Sequence, residues 1–427
     1  MKKLQELVQK VAKSSSLKKK FFFILFIFFV GRLLAYVPVP MINVASLQSI
    51  FQDNDLLGIF NIFSGGTLSR FSLVALGVSP YISASIVLQL AGIVLPKLKE
   101  LQKEGERGRE KINHYTRLLT LPLAVIQSIS IIVLLQNNNL LLTTGIFPSI
   151  AIAMILTAGA FLMTWLGELI GRYGIGNGVS MIMTLGIVSQ IPVTISQMSA
   201  TATGNNLFGI LILIVAVLAV VALVTFFNEA VHQVPIQYAK RVHGSRTYGG
   251  QATFFPIKVN STGVLPIIFA LTLMAVPPFI GQILVSLKSE LGQKIGANII
   301  NWFSSNSPTY MITYFLIVFV FTFFSAVILF NAEDIAEELK KSGAFVPGIR
   351  PGEKTKLYLQ AVVKNITFIN AIFLSLMALI PYLLQSLTHI NSLAIGGTSI
   401  LILVSVILET TRQMEGETVS QNYDKYY

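Results

Sequence analysis

Apolar residues run in long blocks along this chain, each closed by charged residues or by Gly and Pro. Neither the strict alternation of a half-buried strand nor the three-to-four spacing of a helix on a soluble core dominates. A helical bilayer crossing takes about 20 residues. Blocks of that scale predict spans at about 21–37, 73–95, 118–135, 147–170, 179–198, 208–227, 262–286, 310–330, 365–384 and 396–412. The first follows a basic stretch ending in Lys18, Lys19 and Lys20, an arrangement shared with secretory signal peptides. No small-residue cleavage pattern follows, and Arg32, Pro38 and Pro40 come instead, which favours an uncleaved span over Phe21 to Val37.

Charge tests the count. With the N-terminus in the cytosol, 27 of the 31 Lys and Arg fall on the inner side. Only Arg70, Lys288 and Lys294 lie outside, and Arg32 sits within the first span. Inner loops carry the excess of Lys and Arg in membrane proteins, and an odd number of spans would scramble this asymmetry. Both termini are therefore expected in the cytosol.

The second block does not fit one straight helix. Leu56 to Leu95 are 40 residues with one charge, Arg70. As continuous helix they would reach about 60 Å, roughly twice the hydrocarbon thickness. Two full spans here would move the basic loop 97–117 outside. A half-length piece entering from outside and turning back before one full span satisfies both constraints, with Ser64, Gly65, Gly66 and Pro80 as the interruptions. Irregular backbone at that depth needs protein or a water-filled cavity around it, so this piece implies an internal passage. The alternative is a helix lying on the outer surface.

Composition then removes whole classes of function. Charged residues make up 12% and apolar ones 53%, with net charge +12. There is no cysteine, and His114, His232, His243 and His389 are scattered without ligand spacing. Phosphate loops and nucleophile elbows are missing. Asp53, Asp55, Asp334 and Asp424 lie outside the spans. Glu168, Glu229 and Glu409 sit near cytoplasmic span ends, within reach of water or of neighbours such as Arg172 and Arg412. Ion-coupled transporters need carboxylates or histidines at mid-membrane, so a secondary transporter with inverted repeats and a broken helix is disfavoured. What remains is a passage closed by shape and by dewetting of a narrow apolar neck. No catalytic residue, metal site or cofactor is expected.

Two cytosolic loops exceed what connection demands. Segment 228–260 sets β-prone stretches, IQYAKRV and ATFFPIKV, around Pro235, Gly244, Gly249 and Gly250, which predicts a projecting hairpin. Segment 331–362 opens with a helical AEDIAEELKK and continues into GAFVPGIRPGEK. Their basic residues either dock a partner or hold topology.

From Phe60, FNIFSGGTLSRFSLVALGVSPYISASIVLQL closely resembles the SecY family, the channel subunits of the Sec translocon. So do EGERGREKINHYTRLLT, WLGELIGRYGIGNGVS, PIQYAKR, FPIKVNSTGVLPIIFA, KKSGAFVPGIRPGEKT and GGTSILILV further along. The resemblance implies an all-α polytopic membrane protein, a clamshell of ten transmembrane helices in two inverted five-helix halves related by a pseudo-twofold. On this chain the N-terminus is 1–20, the halves 21–198 and 208–412, the outer hinge 199–207 and the cytosolic tail 413–427. It implies a protein-conducting channel for unfolded secretory chains that also releases membrane segments sideways into the cytoplasmic membrane.

Carried over by motif, the pore ring is Val78, Ile82, Val179, Met183, Ile268 and Ile402, with Met183 departing from the family's branched aliphatic. A plug helix covers about 60–72 and includes Asn61, Phe63, Ser64, Gly65, Gly66 and Arg70, the last at a wet outer vestibule. The lateral gate lies between the second and seventh spans, and Ser83 and Gln89 either face it or make ordinary interhelical hydrogen bonds. Lys240, Arg241, Arg246 and Arg350 match the family's docking positions for the SecA motor ATPase and the ribosome, which supply the energy. His232 and Gln233 replace the paired Arg that relatives often carry before the hairpin. The remaining implied partners are small SecE-like and SecG-like membrane subunits, signal peptides and nascent chains, and anionic lipids.

Overall fold

The structure is a computed structural model that describes residues 15–40, 42, 66–137, 140–142, 145–200, 207–238, 241–243, 246–248, 252–286, 289–304, 307–388 and 392–424. Ten long helices fall on the ten expected spans. They are α1 (Ser15–Leu34), α2 (Ser79–Val94), α4 (Glu106–Asn137), α5 (Ile146–Tyr173), α6 (Gly178–Ala200), α7 (Leu207–Glu229), α8 (Leu265–Ser286), α10 (Pro308–Leu329), α12 (Glu353–Thr388) and α13 (Ser392–Asp424). By length and composition alone, α4, α5, α8, α10 and α12 suffice to cross a bilayer. Helix α1 brings Lys18, Lys19, Lys20 and Arg32 into its 20 residues, and α2 has only 16.

The short α2 revises the expected second span, which the sequence starts at 73. Residues 66–78 form successive turns, and the helix begins only at Ser79 with Pro80 in its first turn, where a missing N–H costs nothing. At its other end Leu95 adopts an extended conformation before Pro96. The chain swings by 107° into α3 (Pro96–Lys103), a short helix opening the basic loop.

In the first half, α2 packs on α4, α4 on α5 and α5 on α6. The last contact depends on glycine. A Cβ on Gly178 would be driven into the Gly167 carbonyl, so only glycine allows α6 to leave α5 this tightly. In the second half, α8 packs on α10, α10 on α12, and α13 on both α12 and α7. A buried aromatic cluster of Tyr310, Tyr314 and Tyr382 ties α10 to α12, with the Tyr310 and Tyr382 hydroxyls 3.1 Å apart. The halves meet where α8 lies against α2 and α4, and again where α13 lies against α6. Near the start of α1, Lys20 pairs with Glu417 towards the end of α13 at 2.6 Å.

Helix α12 is 36 residues long, about 54 Å at the standard rise and well beyond one bilayer. Its first turns project and carry Leu359, Val362 and Val363 into a separate cytosolic core. That core joins the two long loops, which the sequence presents as independent. Strands β1 (Val231–Tyr238) and β4 (Ala252–Lys258) pair antiparallel from Val231↔Lys258 to Gln237↔Ala252. Strand β5 (Ala344–Phe345), from the other loop, adds to β1 at Gln237 and Tyr238. Helix α11 (Ala332–Lys341) packs on α12 beneath them, burying Ala332, Ala336 and Leu339. Beyond β1, β2 (Arg241–His243) and β3 (Arg246–Tyr248) form a small distal hairpin.

Candidate functional site

Four helices, two from each half, bring the six expected ring positions together. Val78 precedes α2 and Ile82 lies on it; Val179 and Met183 are on α6, Ile268 on α8 and Ile402 on α13. All six belong to a single apolar cluster that crosses between the halves. Met183, Val78, Ile268 and Ile402 are 4% exposed or less, Ile82 is 8% exposed, and Val179 packs on them half-buried. The neck between the halves is thus lined at these six positions by apolar side chains. The unbranched Met183 fits the gap without a branched Cβ, as a flexible thioether does.

The turn segment 66–78 leads into this waist, which Val74 and Val78 join. Leu68, Phe71, Val74, Ala75 and Leu76 are buried, and the irregular backbone is satisfied within the protein. Ser72 N–H donates to the Thr67 carbonyl, Gly77 N–H to Val74, and the Thr67 hydroxyl to the Val74 carbonyl. A two-way tie to the end of α1 holds the segment: Val39 N–H donates to the Phe71 carbonyl at 2.9 Å and Leu73 N–H to Val37 at 2.8 Å. Phe71 sits at φ +44, a conformation that costs a non-glycine residue energy and persists because these bonds over-determine it. Arg70 is half-buried, its guanidinium 4.4 Å from the Tyr36 ring centre, and Arg32 approaches the same ring at 5.1 Å. Gly66 opens the segment. Asn61, Phe63, Ser64 and Gly65 lie outside the described residues.

Ser83 and Gln89 use their polar groups inside the first half. The Ser83 hydroxyl donates to the Ser79 carbonyl at 3.1 Å and accepts from Gln127 of α4 at 3.4 Å. Gln89 donates to Ser85 one turn back. The α2–α8 seam therefore borders a pair of helices, α2 and α4, already tied to each other. Glu168 accepts from Arg117 of α4, where the sequence offered Arg172 as its neighbour, and Arg412 donates to the Asn228 carbonyl.

Arg350 is exposed in the turn before α12, its carbonyl accepting from the buried Thr355 hydroxyl at 3.0 Å. Arg241 and Arg246 lie on β2 and β3 at the hairpin tip. Lys240 lies outside the described residues. His232 and Gln233 are exposed on β1, opposite Ile257 and Pro256.

One feature escaped sequence reasoning. Where the hairpin's two feet re-enter the membrane domain, a buried polar knot forms. Asn260 donates to Asn228 at 2.6 Å, Asn228 donates to Ser405 of α13 at 3.0 Å, and Asn370 of α12 donates to Asn260 at 3.2 Å. Thr262 donates to Asn260 at 3.3 Å. All five residues are under 9% exposed. The knot fastens the hairpin's base to α13 one turn from Ile402, and to the approach of α8.

Known proteins share this arrangement. The family profile described as SecY matches residues 72–411. A protein translocase subunit SecY from Streptomyces scabiei is 38% identical, over 97% of this chain and 98% of its own length. The one from Mycobacterium leprae is 36% identical, over 96% and 97%. Among solved structures, that of a protein conducting channel superposes with a TM-score of 0.65 at 17% identity, covering 96% of this chain and 94% of that one. Sec61 in a canine ribosome–channel complex superposes with a TM-score of 0.60 at 16% identity, again over 96% and 94%. With the profile covering most of the chain and full-length relatives above a third identical, the chain belongs to the SecY family of protein-conducting channel subunits.

Proposed function

We propose that this multi-pass membrane protein is the channel of a bacterial Sec translocon in its closed state, with the waist described above as its barrier. The observation that carries this reading is the convergence of Val78, Ile82, Val179, Met183, Ile268 and Ile402, two helices from each half, in one apolar cluster. A narrow apolar neck sheds its water and blocks ions without any titrating group. An unfolded chain would enter from the cytosol and part the ring. The plug, about 60–72, would back the ring from outside, its C-terminal end hinged on the ties of Phe71 and Leu73 to α1.

The seam of α8 against α2 and α4 is the lateral gate in this reading. A signal segment's apolar surface gains about 25 cal/mol per Å² on leaving water, and intercalation there would open the clamshell about its outer hinge, 199–207. Sufficiently apolar segments would leave sideways into lipid. Direction comes from outside the chain, from a SecA-type motor ATPase or a translating ribosome gripping Lys240, Arg241, Arg246 and Arg350; guanidinium forks suit both carboxylates and RNA phosphates. Small SecE-like and SecG-like subunits would complete the complex in the cytoplasmic membrane, with both termini in the cytosol and anionic lipids around the basic loops. The two cytosolic loops share one core, so a partner seated on either would pull on the knot beside Ile402.

The test is a stalled passenger. Photocrosslinkers placed at Ile82 and at Ile402 should both capture a half-exported chain and neither should capture it before the motor is added. A passenger that touches neither position during transit removes the waist from the path.

A further inference from the structure

Between α8 and α10 the sequence offers only an outer loop, yet the chain forms a 13-residue helix, α9 (Glu290–Trp302). It has three faces. Gly292 and Gly296 are buried and lie against α8, where a Cβ on Gly281 would come within 3.0 Å of the Gly296 carbonyl. About 100° around the helix, Leu291, Ile295 and Trp302 form a second stripe, exposed by 75, 51 and 63%. The third face is polar and exposed, with Glu290, Lys294 and Asn301, while the exposed Asn298 falls within the apolar stripe.

We propose that α9 is a lipid-binding element, its Leu291–Ile295–Trp302 stripe seated in the headgroup and acyl boundary of the outer leaflet. Two observations name lipid as the occupant. The glycine contact fixes α9 beside the outer part of a membrane span whose own exposed side chains Val276, Ile280 and Ile283 are apolar, as on a bilayer-facing helix. The residue types on each side are those of an interfacial helix: branched aliphatics and an indole on one face, interrupted by Asn298, with Lys294, Glu290 and Asn301 on the other. An aqueous loop would leave three large apolar side chains in water with no compensation. Because Gly281 and Gly296 let the backbones of α8 and α9 approach closely, with Val285, Ile299 and Ile300 packed around them, this foothold is tightly joined to α8.

The chain has two tryptophans, Trp165 and Trp302. A W165F variant, purified with its membrane partners and reconstituted into phosphatidylcholine and phosphatidylglycerol vesicles, reports on Trp302 alone. Dibrominated lipids with shallow bromines should quench it about twofold more than deep ones, and acrylamide should quench it weakly. Strong acrylamide quenching with no bromine effect would make α9 a solvent-exposed loop and overturn the proposal. Silence to both quenchers would place the stripe under a protein subunit and overturn it equally. If W165F does not fold, the I295W variant with both native tryptophans changed to Tyr gives the same readout one face-repeat earlier.

Discussion

Ile402 and Ser405 lie one turn apart on α13 and are about equally buried, yet they belong to opposite kinds of cluster. Ile402 is in the waist cluster, where it packs on apolar side chains and such contacts have no direction. Ser405 is in the knot, where Asn228, Asn260, Asn370 and Thr262 exchange directed hydrogen bonds. Dispersion contacts are individually about 0.1–0.2 kcal/mol and can be traded for those of another apolar surface. A buried amide that loses its partner costs about 1–3 kcal/mol. In the function proposed above, one helix thus carries a seal that can yield beside a fastening that cannot.

The comparison breaks most visibly at the knot. Asn260→Leu removes one donor and the acceptor shared by Asn370 and Thr262, and should cost about 3 kcal/mol, read as a sharp drop in thermal stability of the purified protein in detergent. An unchanged melting profile would mean the knot fastens nothing. Ile402→Asn is the complementary change: resting ion conductance in planar bilayers should rise about tenfold while the melting profile shifts far less than for Asn260→Leu. If conductance stays at background, the waist is not the barrier.

Deleting 61–69 removes the outer backing and leaves the waist, so the leak should be several-fold, smaller than for Ile402→Asn; the reverse order would make the plug the principal seal. Arg350→Glu, exposed and far from both clusters, should reduce motor-driven export about threefold at unchanged protein level and unchanged resting conductance. Loss of the protein itself would reduce Arg350 to a determinant of topology.

Ten spans were legible because bilayer thickness imposes a length on every apolar block. The late start of α2 was half legible: Gly65, Gly66 and Pro80 announced a break, but only the bonds of 66–78 to 37–39 place its end. The knot was hidden because Asn228, Asn260 and Asn370 are far apart along the chain, and single Asn residues near helix ends read as turns. For α9 a signal existed, Ser289 as a cap accepting from Gly292 N–H, but Lys288 and Lys294 masked the stripe. Which way Ser83 points could not be read, since a hydroxyl on a span bonds its own helix and its neighbour equally well.

Strand β5 is two residues long, yet it sews one cytosolic loop onto the other. Chimeras that graft either loop from a distant relative should therefore misfold locally, whereas exchanging 228–260 and 331–362 together should transplant a working unit. For an engineer the two loops are a single exchangeable cartridge, and for selection they are one heritable block.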